Sequence, residues 1–364
     1  MKVAVITLHR LYNYGSVLQA YATQKLLENA GHQVEIIDYI TSHRTKKAIL
    51  LHVPVTISGI KKYPYLFFKS FSILLKEKTF GGFVKHYLHT TKEYITDIDL
   101  DRDPPQADLY VTGSDQVWNS KYNLGVDRGY FLDFVSENAK RVAFVSSFGA
   151  TELSDEEKII IRKYISRYQY LSVRENSAVE LLKEVGRNDA VWLIDPTLQI
   201  AKDEWLRIAS KRLIKEKYLI LMLLYSEDNG ATQFARKIAD EKGLKLVKLS
   251  WDMKKPPLVD KLMTHRSPED FLSLFYYAEY VVTNSFHGLA FSINLEKQFI
   301  VVRRNEFNSR IESLLRLTNL EKRLVSTQEQ VDNIASEVIE YEPVRQVLKE
   351  EREKAAMFIR NAIS

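Results

Sequence analysis

The stretch Thr283-Asn284-Ser285-Phe286-His287-Gly288 puts a histidine where the β-branched run Tyr280 to Thr283 gives way to residues able to continue as a buried helical turn, Leu289 to Asn294. Amide groups at a helix start lack intrahelical partners and lie at the positive end of the helix dipole. A phosphate or carboxylate can dock at such a turn, here formed by Asn284, Ser285 and Gly288, with His287 facing it. The plainer reading is a helix-start histidine satisfied by a neighbouring carbonyl.

Four other short stretches fall at strand ends, where open α/β sheets place their ligand crevices. Asn13-Tyr14-Gly15-Ser16 follows the first strand, with Gly15 allowing close backbone approach and Ser16 suited to cap a helix. Gly113-Ser114-Asp115-Gln116-Val117-Trp118-Asn119 brings a carboxylate, two amides and an indole N–H to one edge, although a turn in which Asp115 merely caps a helix would use the same residues. Ser146-Ser147-Phe148-Gly149 and Ser172-Val173-Arg174-Glu175 end the next two strands. Arg174 can hold a phosphate or carboxylate in a bidentate grip, or serve as one half of a structural salt bridge. Arg303, Arg304 and Arg310 follow the last strand of the second half and either face the same crevice or are simply solvated. Neither G-x-G-x-x-G nor G-x-x-x-x-G-K-[ST] occurs, so nicotinamide dinucleotides and P-loop nucleotides have no support.

Taken together, Asn13-Tyr14-Gly15, the Gly-Ser-Asp-Gln-Val-Trp run at 113 to 118, Ser172-Val173-Arg174-Glu175, Asp195-Pro196 and Phe286-His287-Gly288 resemble the polysaccharide pyruvyl transferase family over Asn13 to about Arg310. The resemblance implies a GT-B-like fold, with an active cleft between two Rossmann-like domains, and transfer of a pyruvyl group from phosphoenolpyruvate to a sugar as a cyclic ketal. It makes His287 the general acid/base, whose ordinary pKa near 6.5 suits proton transfer at neutral pH, and Arg174 a ligand of the donor's anionic groups. Asp115 becomes the residue that orients or deprotonates the acceptor hydroxyl. Asn13, Gly15, Ser114, Gln116, Trp118, Ser147, Asn284, Ser285, Gly288, Arg303 and Arg310 are the expected substrate-binding residues. The scheme requires no metal and no cofactor beyond the donor. Many family members carry arginine two residues before the histidine, where this chain has Ser285, so Arg303, Arg304 or Arg310 replaces that cation or the donor differs. The rival readings are a nucleotide-sugar-dependent glycosyltransferase on the same scaffold and a non-catalytic partner that holds a biosynthetic complex at a membrane.

These residues need an α/β frame to position them. Strand signals at 2–8, 34–39, 108–112, 141–147, 170–173 and 191–194 alternate with helical stretches at about 16–30, 154–167 and 175–185, the second introduced by the capping-box pattern Ser154-Asp155-Glu156-Glu157. A second series follows, with strands at Tyr218 to Tyr225, 244–249, 280–283 and 298–302 and a helix capped by Ser267-Pro268. The expectation is a Rossmann-like domain over 1–198 with a basic, aromatic helical insertion at about 43–94, a second such domain over 199–325, and C-terminal helices over 326–364 that cross back to the first domain. Pro343 is expected as the first residue of the last helix.

With 364 residues, 45% apolar and 27% charged, the chain has the composition of a soluble globular protein, and no stretch reaches the roughly 18 apolar residues of a membrane span. The opening Met1-Lys2 runs straight into a strand rather than a signal-peptide core. The lack of cysteine excludes disulfides and thiolate chemistry and fits a cytoplasmic location. Net charge is +5, yet residues 43–94 hold ten Lys or Arg against only Glu77 and Glu93, so the remainder is net acidic. Aromatics including Tyr63, Tyr65, Phe67, Phe68, Phe71, Phe80, Phe83 and Tyr87 are interleaved with those lysines. This mixture suits peripheral contact with the inner face of the cytoplasmic membrane or a lipid-linked acceptor, or else a helical insertion with solvated lysines; nucleic acid is disfavoured.

Overall fold

The computed structural model describes residues 1–51, 62–224, 228–252, 254–306 and 308–363. They form two compact α/β units, one made of residues 1–173, 178–192 and 359–364 and the other of 174–177 and 193–358.

The first unit is built on a wholly parallel seven-stranded sheet of β1 (Lys2–Ile6), β2 (Gln33–Tyr39), β3 (Thr90–Tyr94), β4 (Leu109–Thr112), β5 (Lys140–Ser146), β6 (Tyr170–Val173) and β7 (Val191–Trp192). Their spatial order is β3-β2-β1-β4-β5-β6-β7. The central strands β1 and β4 are apolar along nearly their whole length because helices cover both faces of a parallel sheet. One face carries a continuous core that includes Ile6, Trp118, Phe131, Phe148 and Leu182. The direction of winding reverses between β1 and β4, so the chain leaves both strands at the switch point where such sheets open a crevice.

The second unit repeats the plan with six parallel strands, β8 (Tyr218–Met222), β9 (Lys245–Leu249), β10 (Lys261–Met263), β11 (Tyr280–Thr283), β12 (Gln298–Val302) and β13 (Leu324–Val325), in the order β10-β9-β8-β11-β12-β13. Its core includes Leu219, Phe234, Ile238, Val282 and Ile300, and its switch point lies between β8 and β11.

Helix boundaries follow the local signals. Ser154 accepts from the Glu157 amide at 3.2 Å while Glu157 accepts from the Ser154 amide at 2.7 Å, the reciprocal capping box read from the sequence. Ser267 caps the helix Pro268–Tyr276, with Pro268 in its first turn. The last helix runs Tyr341–Ala362, starting two residues before Pro343.

Three strands depart from the sequence reading. β3 occupies the end of the stretch expected to be a helical insertion, and β10 and β13 were not anticipated. All three are edge strands, paired on one side only. An edge strand of two to five residues need not bury both faces, so it carries little apolar pattern. The insertion is otherwise helical where described, with Lys46–Leu51, Lys62–Lys76 and Gly82–Tyr87 and a π-helical turn Glu77–Gly81. Tyr225 and residues 52–61 lie outside the described residues, as do the side chains of Tyr63, Tyr65, Phe67 and Phe68. Among the described residues no helix is long and apolar enough to cross a membrane.

Candidate active site

The second unit assembles Arg174, Asp195 and His287 around one carboxylate. Asp195 caps the short helix Pro196–Gln199, and its Oδ1 accepts from both the Thr197 amide at 2.9 Å and the Thr197 hydroxyl at 2.7 Å. That leaves Oδ2 facing Arg174 Nη1 at 2.9 Å and His287 Nε2 at 3.9 Å. The side chains of Arg174 and Asp195 are wholly buried and that of His287 almost so. Burial alone would push the Asp195 carboxyl up, but the Arg174 guanidinium, the imidazole of His287 and the Thr197 amide outweigh it and hold the group below the ordinary carboxylate range. Asp195 is therefore an ionised carboxylate beside a histidine, the arrangement that stabilises an imidazolium when the ring takes up a proton.

His287 is presented by the turn after β11, and the residues read as substrate ligands build that turn. Ser285 caps the helix Phe286–Asn294 by accepting from the Gly288 amide at 3.3 Å. Asn284 accepts from the Leu224 amide at 2.6 Å, tying the end of β11 to the segment after β8. Thr283 Oγ1 donates to the Met222 carbonyl at 2.7 Å and accepts from the Ser285 amide at 3.1 Å. A Cβ on Gly288 would lie 2.3 Å from that same Thr283 oxygen, so glycine is demanded by packing. Asn284, Ser285 and Gly288, the residues expected to contact substrate, thus also hold the turn that presents His287.

Among the arginines, Arg174 adopts the salt-bridge arrangement, with the guanidinium 5.1 Å from the Phe286 ring centre and Nε 4.0 Å from Glu175. Arg310, half-buried, sits 5.6 Å from the same ring. Arg303 is 45% exposed and pairs with Glu312 at 2.5 Å, an ordinary surface contact. Asp195, the acceptor common to Arg174 and His287, entered the sequence reading only through the Asp195-Pro196 pair of the family resemblance, with no role assigned; its position after β7, beside Pro196 and Thr197, was the available signal.

The first unit gathers its own residues at the β1/β4 switch point. Asn13 caps the helix Tyr14–Asn29 by accepting from the Gly15 amide at 2.9 Å. Asp115, with φ of 75°, accepts from the Ser16 hydroxyl at 2.7 Å and through its other oxygen from the Gln116 amide at 2.8 Å. Ser114 is held through its carbonyl, which accepts from Thr7 at 2.7 Å, while Gln19 donates to Thr7 at 2.9 Å. Gln116 accepts from Asn119 at 2.7 Å, and Ser147 Oγ accepts from the Gly149 amide at 3.1 Å. Trp118 corrects the sequence reading. It is buried in the core, stacked on Phe131 at 5.3 Å with its indole donating to the Tyr130 carbonyl at 3.3 Å, so it supports the loop from beneath. Val145, just before Ser146, has φ of 59° at a register shift in β5, a costly conformation for a β-branched residue. Its amide is met by Ser172 Oγ at 3.0 Å. Among the described residues no group of three or more His, Asp or Glu converges as a metal site.

A family model for polysaccharide pyruvyl transferases matches residues 13–306, a span that takes in both clusters. The chain belongs to this family. No curated protein matches it in sequence. Among solved structures, the UDP-GlcNAc 2-epimerase of Methanocaldococcus jannaschii aligns over 99% of both chains at 13% identity, with a TM-score of 0.52. The UDP-GlcNAc 2-epimerase of Neisseria meningitidis aligns over 98% of this chain and 94% of its own at 11% identity and TM-score 0.48. An O-GlcNAc transferase mutant of Thermobaculum terrenum covers all of this chain with 64% of its own length, at 13% identity and TM-score 0.45. At such identities the likeness is one of fold, and this pyruvyl transferase family member has the two parallel-sheet α/β domains of the GT-B class with a C-terminal helical tail.

Proposed function

We propose that the protein moves a pyruvyl group from phosphoenolpyruvate to a sugar of a cell-surface polysaccharide or its lipid-linked precursor, closing a cyclic ketal across two hydroxyls. The observation that carries this reading is a histidine beside a buried, ionised carboxylate in a chain of the pyruvyl transferase family. His287 delivers a proton to the methylene carbon of the donor, and the oxygen of an acceptor hydroxyl bonds to the central carbon while its proton returns to His287. A second hydroxyl then displaces the phosphate, whose C–O bond breaks as it leaves with that hydroxyl's proton. Asp195 stabilises the imidazolium, and Arg174 keeps Asp195 ionised in its buried position. Arg310 takes the role first assigned to Arg174, that of the cation for the donor's anionic groups, because it is half-buried beside Phe286 while Arg174 is committed to Asp195. In the first unit Asp115 is assigned the acceptor hydroxyl. The reaction belongs in the cytoplasm, peripheral to the inner face of the membrane if the acceptor is lipid-linked.

Thermal denaturation with excess phosphoenolpyruvate, set against UDP, GDP and inorganic phosphate, tests the donor. Ligand at about 100 times its dissociation constant adds roughly 2.7 kcal/mol of stability, enough to move the midpoint. A rise selective for phosphoenolpyruvate is expected. A rise with UDP or GDP alone would transfer the protein to nucleotide-sugar chemistry.

A further inference from the structure

A cavity of about 540 Å³ lies within the first unit, lined from the segment after β1 by His9, Arg10 and Tyr12. It opens beyond the ends of β1, β2 and β3 and is covered by the insertion through Glu77, Phe80, Gly81, Val84 and Lys85. At its base His9 is fully buried, with Nδ1 3.1 Å from the Thr7 carbonyl and Nε2 3.0 Å from Asp38. Arg10 is neutralised by Asp38 at 2.5 Å and Glu93 at 3.0 Å. The other lining cations are not matched in this way. Arg44 donates to the neutral Tyr122 carbonyl at 2.9 Å and the Asn123 side chain at 2.8 Å, while Lys47 and Lys85 are exposed and, among the described residues, in no ion pair. The same lining holds groups suited to hydroxyls: Glu77, which accepts from Tyr12 at 3.0 Å, and Glu93, which accepts from Arg10 at 3.0 Å. Burial and the Glu77 carboxylate push the Tyr12 hydroxyl up, so it remains a donor. The turn that aims Glu77 is π-helical, and a Cβ on Gly81 would lie 2.8 Å from the Glu77 carboxylate. π-Helical turns are rare and concentrate at functional sites.

We propose that this cavity binds a saccharide carrying a phosphate or diphosphate, with the sugar hydroxyls at Tyr12, Glu77 and Glu93 and the phosphate at Arg44, Lys47 and Lys85. Lysines without carboxylate partners act as mobile point charges for phosphate, whereas the two carboxylates would repel an anion and attract hydroxyls, so the lining calls for both features in one ligand. The saccharide half rests on the transferase reading; the phosphate half rests on the lining alone. The phosphate comes either from a free sugar phosphate or from a polyprenyl carrier. The exposed Phe71 and Leu74 on the helix Lys62–Lys76 would sit against a membrane in the second case.

The test is titration of the full-length protein with inorganic pyrophosphate, which requires no knowledge of the sugar, using wild type, the Lys47→Ala/Lys85→Ala variant and Arg310→Ala. Lys47 and Lys85 are exposed, so their removal leaves the fold intact, and a circular dichroism melt of the variant checks this. Binding is expected to weaken by about tenfold or more in the double variant, since two charge-assisted contacts are lost, and to stay within about twofold in Arg310→Ala. Retention of affinity by the double variant, or loss of it only in Arg310→Ala, overturns the proposal and locates the anion in the second unit, leaving the pyruvyl-transfer reading to its own donor test. Flotation with phosphatidylcholine vesicles with and without a polyprenyl diphosphate then separates the sources. Capture dependent on the diphosphate and on Lys47 and Lys85 assigns a lipid carrier, and binding of free pyrophosphate without capture assigns a soluble sugar phosphate.

Discussion

At the scale of single residues, the proposed chemistry converges on His287 and the carboxylate beside it. His287→Ala is expected to lower transfer by about 10²–10⁴-fold, the size of general acid/base help, while leaving the melting temperature nearly unchanged. A variant that turns over at the wild-type rate would remove His287 from the mechanism. Asp195→Asn separates two roles of one side chain. The amide oxygen can still accept from Thr197, so the cap survives, yet the buried Arg174 loses its ionic partner. A stability loss of about 3 kcal/mol by urea denaturation is expected, together with a fall in kcat. The same pair makes a pH statement. Because the Asp195 carboxyl lies below the ordinary carboxylate range, its stabilising contribution is present above the unfolded-state value near 3.9 and is lost as pH falls through the folded value. Asp195→Asn should therefore flatten the fall in stability on the acid side of about pH 4; an unchanged acid limb would show that Asp195 does not control it.

At the scale of elements, the turn after β11 is a packed unit whose parts are not interchangeable. Gly288→Ala forces a methyl group against Thr283 Oγ1, the oxygen that links β11 to β8. About 1–3 kcal/mol of destabilisation is expected from such overpacking, and a melt showing less than a degree of change would contradict the geometry. Elsewhere the elements obey local rules. Ser154→Ala removes one half of an intact capping box at an exposed helix start, for an expected cost of about 1 kcal/mol in chemical denaturation. The sequence placed these helix starts correctly because a cap depends on residues three positions apart. It missed β3, β10 and β13 because an edge strand is defined by the neighbour it pairs with, and that neighbour is remote in the chain.

At the scale of the whole molecule, two parallel sheets each reverse their winding once, and each reversal gathers one polar cluster. Asn13, Ser16, Ser114 and Asp115 meet where β1 and β4 adjoin. His287 leaves β11 beside β8, with Asp195 and Arg174 brought to it from the segments following β7 and β6. If the transferase reading holds, substitutions in the two clusters should fail differently. Arg310→Ala should raise the KM for phosphoenolpyruvate with little change in that for the acceptor, and Asp115→Asn the reverse; equal effects on both would sink the division of labour.

The sequence by itself determined the α/β class, the central strands, the capped helices and the family, because each depends on apolar periodicity or on short motifs that keep their spacing wherever they are placed. It also singled out His287, Asp115 and Arg174. What only the tertiary structure decided was which partners each residue meets. Trp118 is a core ring stacked on Phe131, Asn284 accepts from the Leu224 amide, and Gly288 is packed against Thr283. Arg174 is bound to a carboxylate twenty-one residues away, and that carboxylate, Asp195, enters the site only through the same pairing. Such roles depend on which polar atoms already have partners across the fold, and no spacing along the chain encodes that.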